Sequence, residues 1–185
     1  MRAHVLVPVK RLDGAKSRLA AALSAEERAA LVQTMLHGVL EAVEEAAVGP
    51  ATVVSSEPLE LDGAPRFDDR GLPWNQALEA AMREVVYEEC AAVVSADLPR
   101  LRAEEVRALV AATPERGIAI ARAKDGGTNA VSMRPPGVLR TLFGEPGSAA
   151  LHVQAARDAG LDAVVLDLDG LAFDVDTPED LAAWG

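Results

Sequence analysis

Short apolar, β-branched runs alternate along this chain with stretches whose apolar residues recur at helical spacing. His4–Val9 (HVLVPV) and Ala51–Ser55 read as strands. So does the apolar run that opens Ala91–Leu101 (AAVVSADLPRL), which has the character of a fully buried, parallel strand. Between the first two runs, Ser24 and Glu27 have capping-box spacing, and Leu31, Met35, Leu36, Val39, Leu40 and Val43 follow with helical periodicity. This predicts a long amphipathic helix closed by Gly49 and Pro50. The polar, Gly/Pro-containing stretch Glu57–Pro73 reads as a loop with a short extended piece at Arg66–Phe67. Asn75–Glu88 reads as a helix with Leu78, Met82, Val85 and Val86 on its buried side, and Glu104–Ala112 as a shorter helix ended by Thr113 and Pro114. Gly117–Arg122 and Asn129–Met133 read as strands joined by Lys124–Thr128 (KDGGT), the spacing of a hairpin. The turn Phe143–Ser148 (FGEPGS) feeds a helix over Ala149–Ala159. A strand at Asp162–Leu168, an extended piece at Ala172–Val175 and a last helix at Thr177–Trp184 complete the chain.

Strands alternating with helices predict an α/β fold with a mainly parallel sheet, right-handed crossovers and a β-hairpin insertion. No internal repeat, low-complexity segment or linker divides residues 1–185, so a single domain is expected. Composition narrows the function classes. Net charge is −11 and the sequence pI about 4.7, which disfavours nucleic acid as a partner but leaves room for a small phosphorylated ligand met by a local cation patch. The single cysteine, Cys90, excludes an internal disulfide and a cysteine-based metal cluster. No apolar run approaches the roughly 18 residues of a membrane span, and no signal-peptide layout is seen. A soluble cytoplasmic protein is expected.

Candidate chemistry gathers where strands end. Pro99 forces the chain to turn just after Asp97, which places that carboxylate at the carboxyl end of its strand, where ligands bind in open α/β sheets. Lys10, Arg11, Lys16 and Arg18 fall within nine residues directly after the first strand. With Gly14 for close backbone approach, this loop suits a polyphosphate. It matches neither the P-loop pattern nor G-x-G-x-x-G, so no dinucleotide cofactor is indicated. In FDVDTPEDL, Thr177, Pro178 and Asp180 are accounted for as an N-cap, a first-turn proline and a third-position acid. Asp174 and Asp176 are not, and in an extended segment they share one side. With Asp97 they could form a three-carboxylate site for Mg²⁺, which prefers oxygen ligands together with substrate phosphates. The plainer alternatives are a solvated basic loop and a solvated acidic turn. Ser148 could cap the helix at Ala149 and support an anion at its N-terminus, with His152 facing the same place. Asn75 could meet a base edge or cap its helix. Trp74 could stack on a ligand or pack in the core. His4 reads as structural and His37 as a surface residue.

VPVKRLDGAKSRL, SADLP, DGGTNA, FGEPGSAALH and DVDTPEDL occur in this order from about Val7 to Leu181. In this the chain resembles the guanylyltransferase family that makes the side-chain precursor of the deazaflavin coenzyme F(420), whose members act on 2-phospho-L-lactate or phosphoenolpyruvate. The resemblance implies a Rossmann-like nucleotidyltransferase (nucleotide-diphospho-sugar transferase-like) fold. It implies that Asp97, Asp174 and Asp176 hold Mg²⁺ and that Lys10, Lys16 and Arg18 hold the GTP triphosphate, with Asp97 and Lys16 catalytic. Thr128, Ser148 and either Gly144 or Gly147 would hold the phosphorylated three-carbon acid, and the Gly71–Asn75 region would lie near the guanine. FGEPGS is one residue longer than the family turn, and Pro73 and Trp74 separate Leu72 from Asn75. The reaction implied is transfer of GMP from GTP to phosphoenolpyruvate, giving enolpyruvoyl-diphospho-5'-guanosine and pyrophosphate. The Ala-, Leu-, Arg- and Glu-rich composition resembles that of a GC-rich bacterium, which tilts the acceptor toward phosphoenolpyruvate. The same reaction on 2-phospho-L-lactate or 3-phosphoglycerate, another acceptor such as a pterin or, against the short chain, a sugar phosphate, and a non-catalytic nucleotide-binding module are the alternatives. A homodimer is left open.

Overall fold

The computed structural model describes residues 1–10, 16–61 and 63–185. Its strands are β1 (His4–Pro8), β2 (Ala51–Val54), β3 (Arg66–Phe67), β4 (Ala91–Val94), β5 (Gly117–Arg122), β6 (Thr128–Arg134) and β7 (Asp162–Leu166). The helices are α1 (Ala25–Ala46), α2 (Trp74–Glu84), α3 (Ala103–Ala111), α4 (Ser148–Asp158), α5 (Asp169–Ala172) and α6 (Pro178–Trp184). The strands form one 7-stranded sheet in the order β3-β2-β1-β4-β6-β5-β7. β1 pairs in parallel with β2 and β4, β2 with β3, and β5 with β7. β6 pairs antiparallel with both β4 and β5. The expected hairpin is therefore not an appendage on the sheet. Its second strand is inserted between β4 and β5 and completes the sheet's middle.

β4 is buried over its whole length, as its unbroken apolar run requires. The central strands, β4 included, send alternate residues to two cores. Val5, Val7, Val53 and Val94 pack with Leu36, Val39, Val43, Val106 and Leu109 from α1 and α3. Leu6, Val93, Ile120 and Val131 pack with Leu78, Met82 and Ala156 from α2 and α4 on the other face. No helix among the described residues is long and apolar enough to cross a membrane.

The predicted capping boxes at Ser24/Glu27 and Thr177/Asp180 both form. Four local expectations are corrected. α2 ends at Glu84, so Val86 lies outside it and is 44% exposed. β7 stops at Leu166. Residues 169–172 make a helical turn, so the extended piece expected at Ala172–Val175 begins only after Ala172, and Gly170 N–H donates to the buried Glu105 carboxylate. Finally, α4 is preceded by Gly147 at φ 67°, and Ser148 is its first helical residue rather than its cap.

The Glu105–Gly170 contact sets the path of the C-terminal segment. The Glu105 carboxylate is buried and accepts from Arg102 N–H at 3.1 Å and from Gly170 N–H at 2.7 Å. A Cβ at Gly170 would overlap the Arg100 carbonyl oxygen and a Glu105 carboxylate oxygen. Gly170→Ala is therefore expected to lower stability by about 2–3 kcal/mol, because backbone and a buried charge must both give way. In thermal unfolding this corresponds to a fall in Tm of roughly 5–10 °C. An unchanged Tm would show that the α3–α5 contact is loose.

Candidate active site

A cleft of about 620 Å³ opens at the carboxyl ends of β1 and β4, within the size range of small-molecule sites. Lys10, Lys16, Arg18, Gly71, Asp97 and Asp176 line it, with Asp69, Leu72 and Trp74 and an apolar floor of Val9, Val32, Val54, Ala77 and Ala96. Six of the residues expected from the sequence thus meet in one place, although they come from widely separated parts of the chain. Arg11 and Gly14 lie outside the described residues.

A small satellite core builds this convergence. Leu19, Met35 and Val175 are fully or almost fully buried together, with Phe173, Leu181 and Trp184 packed around them. Leu19 fixes the end of the basic segment against α1, and Val175 fixes the acidic segment. With Val175 turned inward, Asp174 and Asp176 emerge on the opposite side. Val175 N–H donates to the Asp97 carbonyl oxygen at 3.3 Å, which sets the acidic segment beside the end of β4. Lys124 clamps it from outside: its ammonium lies 4.8 Å from the Phe173 ring centroid and donates to the Asp174 carbonyl oxygen and the Asp180 carboxylate. Burial opposes ionisation of Asp180. Lys124, the Asp176 and Thr177 backbone N–H groups and the Thr177 hydroxyl outweigh it and hold the carboxyl below its ordinary range.

Lys16 occupies the centre of the site. Its ammonium donates to Asp97 Oδ2 at 2.5 Å and Asp176 Oδ1 at 2.7 Å, and its side chain is only 8% exposed. The residue sits at φ 51°, ψ 41°, a left-handed conformation that is uncommon for a lysine and here directs the side chain inward. Burial opposes its charge, but the two carboxylates outweigh it and raise its pKa. Asp176 is correspondingly lowered: burial works against its charge, and Lys16 more than compensates. Asp174 behaves oppositely. Burial and then the neighbouring Asp97 carboxylate push it above the usual range, against one long contact of 3.4 Å from Asn129 Nδ2. Among the described residues, no three His, Cys, Asp or Glu side chains converge as metal ligands. The three expected carboxylates are neighbours, but a lysine ammonium sits between two of them. Their all-oxygen donor set suits a hard divalent cation, and the raised Asp174 is the member with no cation to compensate it among these contacts.

The residues expected to hold an acceptor form a separate, buried cluster beside this cleft. Ser148 Oγ donates to Thr128 Oγ1 at 3.0 Å, and both side chains are buried. His152 is fully buried and closes the cluster rather than facing a ligand. Leu142 N–H donates to its Nε2 at 2.9 Å, so the proton rests on Nδ1, which donates to the Ser148 carbonyl oxygen at 2.8 Å and lies 3.1 Å from Thr128 Oγ1. The opening N–H groups of α4 are also used. Ser148, Ala149 and Ala150 donate to the carbonyls of Glu145, Gly126 and Gly147, so this helix end does not present them to an anion. Gly144 (φ 81°) and Gly147 (φ 67°) both need left-handed backbone, and both have open space where a Cβ would be. Asn75 neither caps α2, whose N-cap is Pro73, nor presents a free amide to a base. It holds the Phe143 backbone through two bonds of 3.0 Å. Asn129, Lys124 and Glu105 were missed by sequence reasoning. Lys124 opens the KDGGT turn and Asn129 follows it, but only the folded chain shows that they face the acidic segment.

Burial lowers the His152 pKa below its ordinary value, against the Ser148 carbonyl, which favours protonation. A histidine that binds its proton more weakly folded than unfolded contributes stability above its unfolded pKa of about 6.5, and that contribution is lost as pH falls below it. The unfolding free energy from urea titration is therefore expected to fall between pH 7 and pH 5, with a slope of at most about 1.4 kcal/mol per pH unit from this residue. His152→Gln should flatten part of that fall. His4, also lowered by burial, supplies a share that remains. An equally steep fall in the variant would remove His152 as a source.

Comparisons with known proteins follow the same chain from end to end. The family model "Guanylyl transferase CofC like" matches residues 3–184. A phosphoenolpyruvate guanylyltransferase from Sphaerobacter thermophilus is 43% identical over 190 aligned positions, covering 98% of this chain and 91% of that protein. A 2-phospho-L-lactate guanylyltransferase from Natronomonas pharaonis is 39% identical, covering 96% of this chain and 82% of that protein. In fold, the chain is similar to a nucleotidyl transferase from Methanothermobacter thermautotrophicus, with a TM-score of 0.66 at 13% identity over 99% of this chain and 95% of that one. A basic segment and an acidic segment folded onto one strand end, within a sheet of nucleotidyltransferase type and a sequence matched from residue 3 to residue 184, place this chain in the CofC-like guanylyltransferase family.

Proposed function

We propose that this guanylyltransferase transfers GMP from GTP to phosphoenolpyruvate, as a step toward the side chain of coenzyme F(420). The observation that carries this reading is the placement of Lys16 between Asp97 and Asp176 in a cleft whose wall also holds Lys10 and Arg18. The cleft holds GTP, its base on the apolar floor toward Gly71 and Trp74. The acceptor's phosphate oxygen attacks the α-phosphorus of GTP. The bond from that phosphorus to the β-phosphate bridging oxygen breaks, and its electrons leave with pyrophosphate. The acceptor is an anion at neutral pH, so no side chain need remove a proton. Catalysis is alignment and charge neutralisation. Lys10, Lys16 and Arg18 hold the triphosphate and the departing pyrophosphate. Asp97, Asp174 and Asp176 would hold Mg²⁺, which supplies neutralisation of phosphate charge when bound.

The acceptor lies against the Gly144–Gly147 turn, whose two left-handed glycines leave their backbones open. Thr128 and Ser148 back that turn from inside. The test is pyrophosphate release with GTP and Mg²⁺, comparing phosphoenolpyruvate, 2-phospho-L-lactate and 3-phosphoglycerate. Preferential release with phosphoenolpyruvate is expected. Preference for 2-phospho-L-lactate would reassign the acceptor, and no release with any of them, despite GTP binding, would overturn the reaction.

A further inference from the structure

Asn75 stands at the start of α2, next to Trp74 in the cleft wall, where the Lys10 ammonium lies 4.0 Å from the indole ring centroid. Its side chain turns away from the cleft. Asn75 Nδ2 donates to the Phe143 carbonyl oxygen and Phe143 N–H donates to Asn75 Oδ1, each at 3.0 Å, across 68 residues of sequence. The amide thus pairs with one residue's backbone as an adjacent strand would, satisfying both of its own groups and both of that residue's.

Phe143 is the last residue before the Gly144–Gly147 turn, and it is held from the other side as well. Its ring meets His152 edge-on at 5.8 Å, and the preceding Leu142 N–H bonds to His152 Nε2. His152 in turn carries the Ser148 carbonyl and reaches Thr128. One end of the turn is therefore fixed by Asn75 and the other by the start of α4, with His152 between them. A Cβ at Gly144 or Gly147 would meet nothing within 4 Å, so that side of the turn is open and its ends are what tie it to the rest of the fold.

We infer that Asn75 is a positioning residue that ties the wall of the nucleotide cleft to the acceptor turn, setting where the acceptor sits relative to the triphosphate rather than contacting guanine. This rests on the proposed acceptor site. It makes the start of α2 serve both substrates: Trp74 faces one and Asn75 supports the other.

The test uses Asn75→Ala and the near-isosteric Asn75→Asp, which keeps the acceptor for Phe143 N–H but loses the donor to its carbonyl. Steady-state pyrophosphate release gives KM for GTP and phosphoenolpyruvate separately, and hydrogen–deuterium exchange follows the amides of residues 142–148. Asn75→Ala is expected to speed exchange at Phe143 and raise KM for phosphoenolpyruvate about 10-fold or more, with KM for GTP changed less than about threefold and discrimination against ATP unchanged. Asn75→Asp should fall between the wild type and Asn75→Ala in both exchange and KM. A selective rise in KM for GTP, or lost discrimination against ATP, would overturn the inference in favour of a guanine contact. Equal rises in both KM values, or faster exchange with an unchanged KM for phosphoenolpyruvate, would overturn it in favour of a purely structural bond. If the wild-type protein releases pyrophosphate with none of the three acids, the acceptor reading fails and this role fails with it. An active wild type with an indifferent Asn75→Ala refutes the inference alone.

Discussion

Asp97→Asn is expected to lower pyrophosphate release from GTP and phosphoenolpyruvate by about 10²–10³-fold, the scale seen when one electrostatic contact to a reacting group is removed, while the protein stays folded. Three observations set this expectation. Asp97 is the carboxylate at the end of the buried central strand, and its backbone carbonyl receives the Val175 N–H that docks the acidic segment. Asparagine leaves that backbone bond intact and changes only the side chain. The Asp97 side chain is 31% exposed, so the substitution buries no new unpaired group. Lys16 keeps Asp176 as a partner. The measurement is turnover together with urea unfolding. Near-normal turnover would remove Asp97 from the catalytic set, and a large loss of stability would mean that lost activity reports the fold.

Lys16→Met is expected to produce two effects of opposite sign. Turnover should fall by at least about 100-fold, since the variant loses the ammonium assigned to the triphosphate. Binding of a divalent cation to the nucleotide-free protein should become tighter by about 10-fold, or about 1.4 kcal/mol. In the wild type the ammonium lies within 2.7 Å of oxygens from both Asp97 and Asp176, so an incoming cation meets carboxylates that are already neutralised. Removing it leaves three neighbouring carboxylates and no compensating cation between them. A unit charge at about 4 Å is worth about 4 kcal/mol at an effective dielectric of 20, so a tenfold change asks for a fraction of the available interaction. Mn²⁺ titration followed by electron paramagnetic resonance reads this without any turnover. Unchanged Mn²⁺ affinity would show that Lys16 does not compete for the carboxylates, and the proposed metal site would have to move. Methionine keeps the apolar stem that Lys16 packs into the site, so loss of packing contributes little to either readout.

Much of this protein was legible in its residues because the signals are local. Four apolar residues in a row at Ala91–Val94 favour burial on both faces, which made the buried central strand readable, although it is parallel only to β1 and antiparallel to β6. Ser24 with Glu27, and Thr177 with Pro178 and Asp180, carry their helix starts within four positions. Asp97 could be placed just beyond a strand end because the apolar run stops at Val94 and Pro99 allows no further ladder. Lys16, Asp97 and Asp176 were each recognisable as chemistry without a structural duty, and the alternating direction of an extended segment explains why Asp174 and Asp176 share a side.

What tertiary structure decided were the partners across long sequence separations, for which no local pattern exists. β6 was readable as a strand, but its place between β4 and β5 depends on which edge the hairpin finds. Gly170, in the helical turn 169–172, donates its N–H to Glu105, 65 residues earlier. Asn75 looked equally suited to a cap or to a base edge; Pro73 takes the N-cap position, and the Asn75 amide bonds the Phe143 backbone. Ser148 and His152 looked like ligand groups, and in the fold both are buried, with His152 Nδ1 donating to the Ser148 carbonyl oxygen. By itself, then, the sequence determined the α/β alternation, the family and the charges available to the cleft. Only the folded chain decided which of those charges meet, because a short polar side chain takes whatever partner packing brings within 3 Å, and packing is settled by the two cores on either side of the sheet.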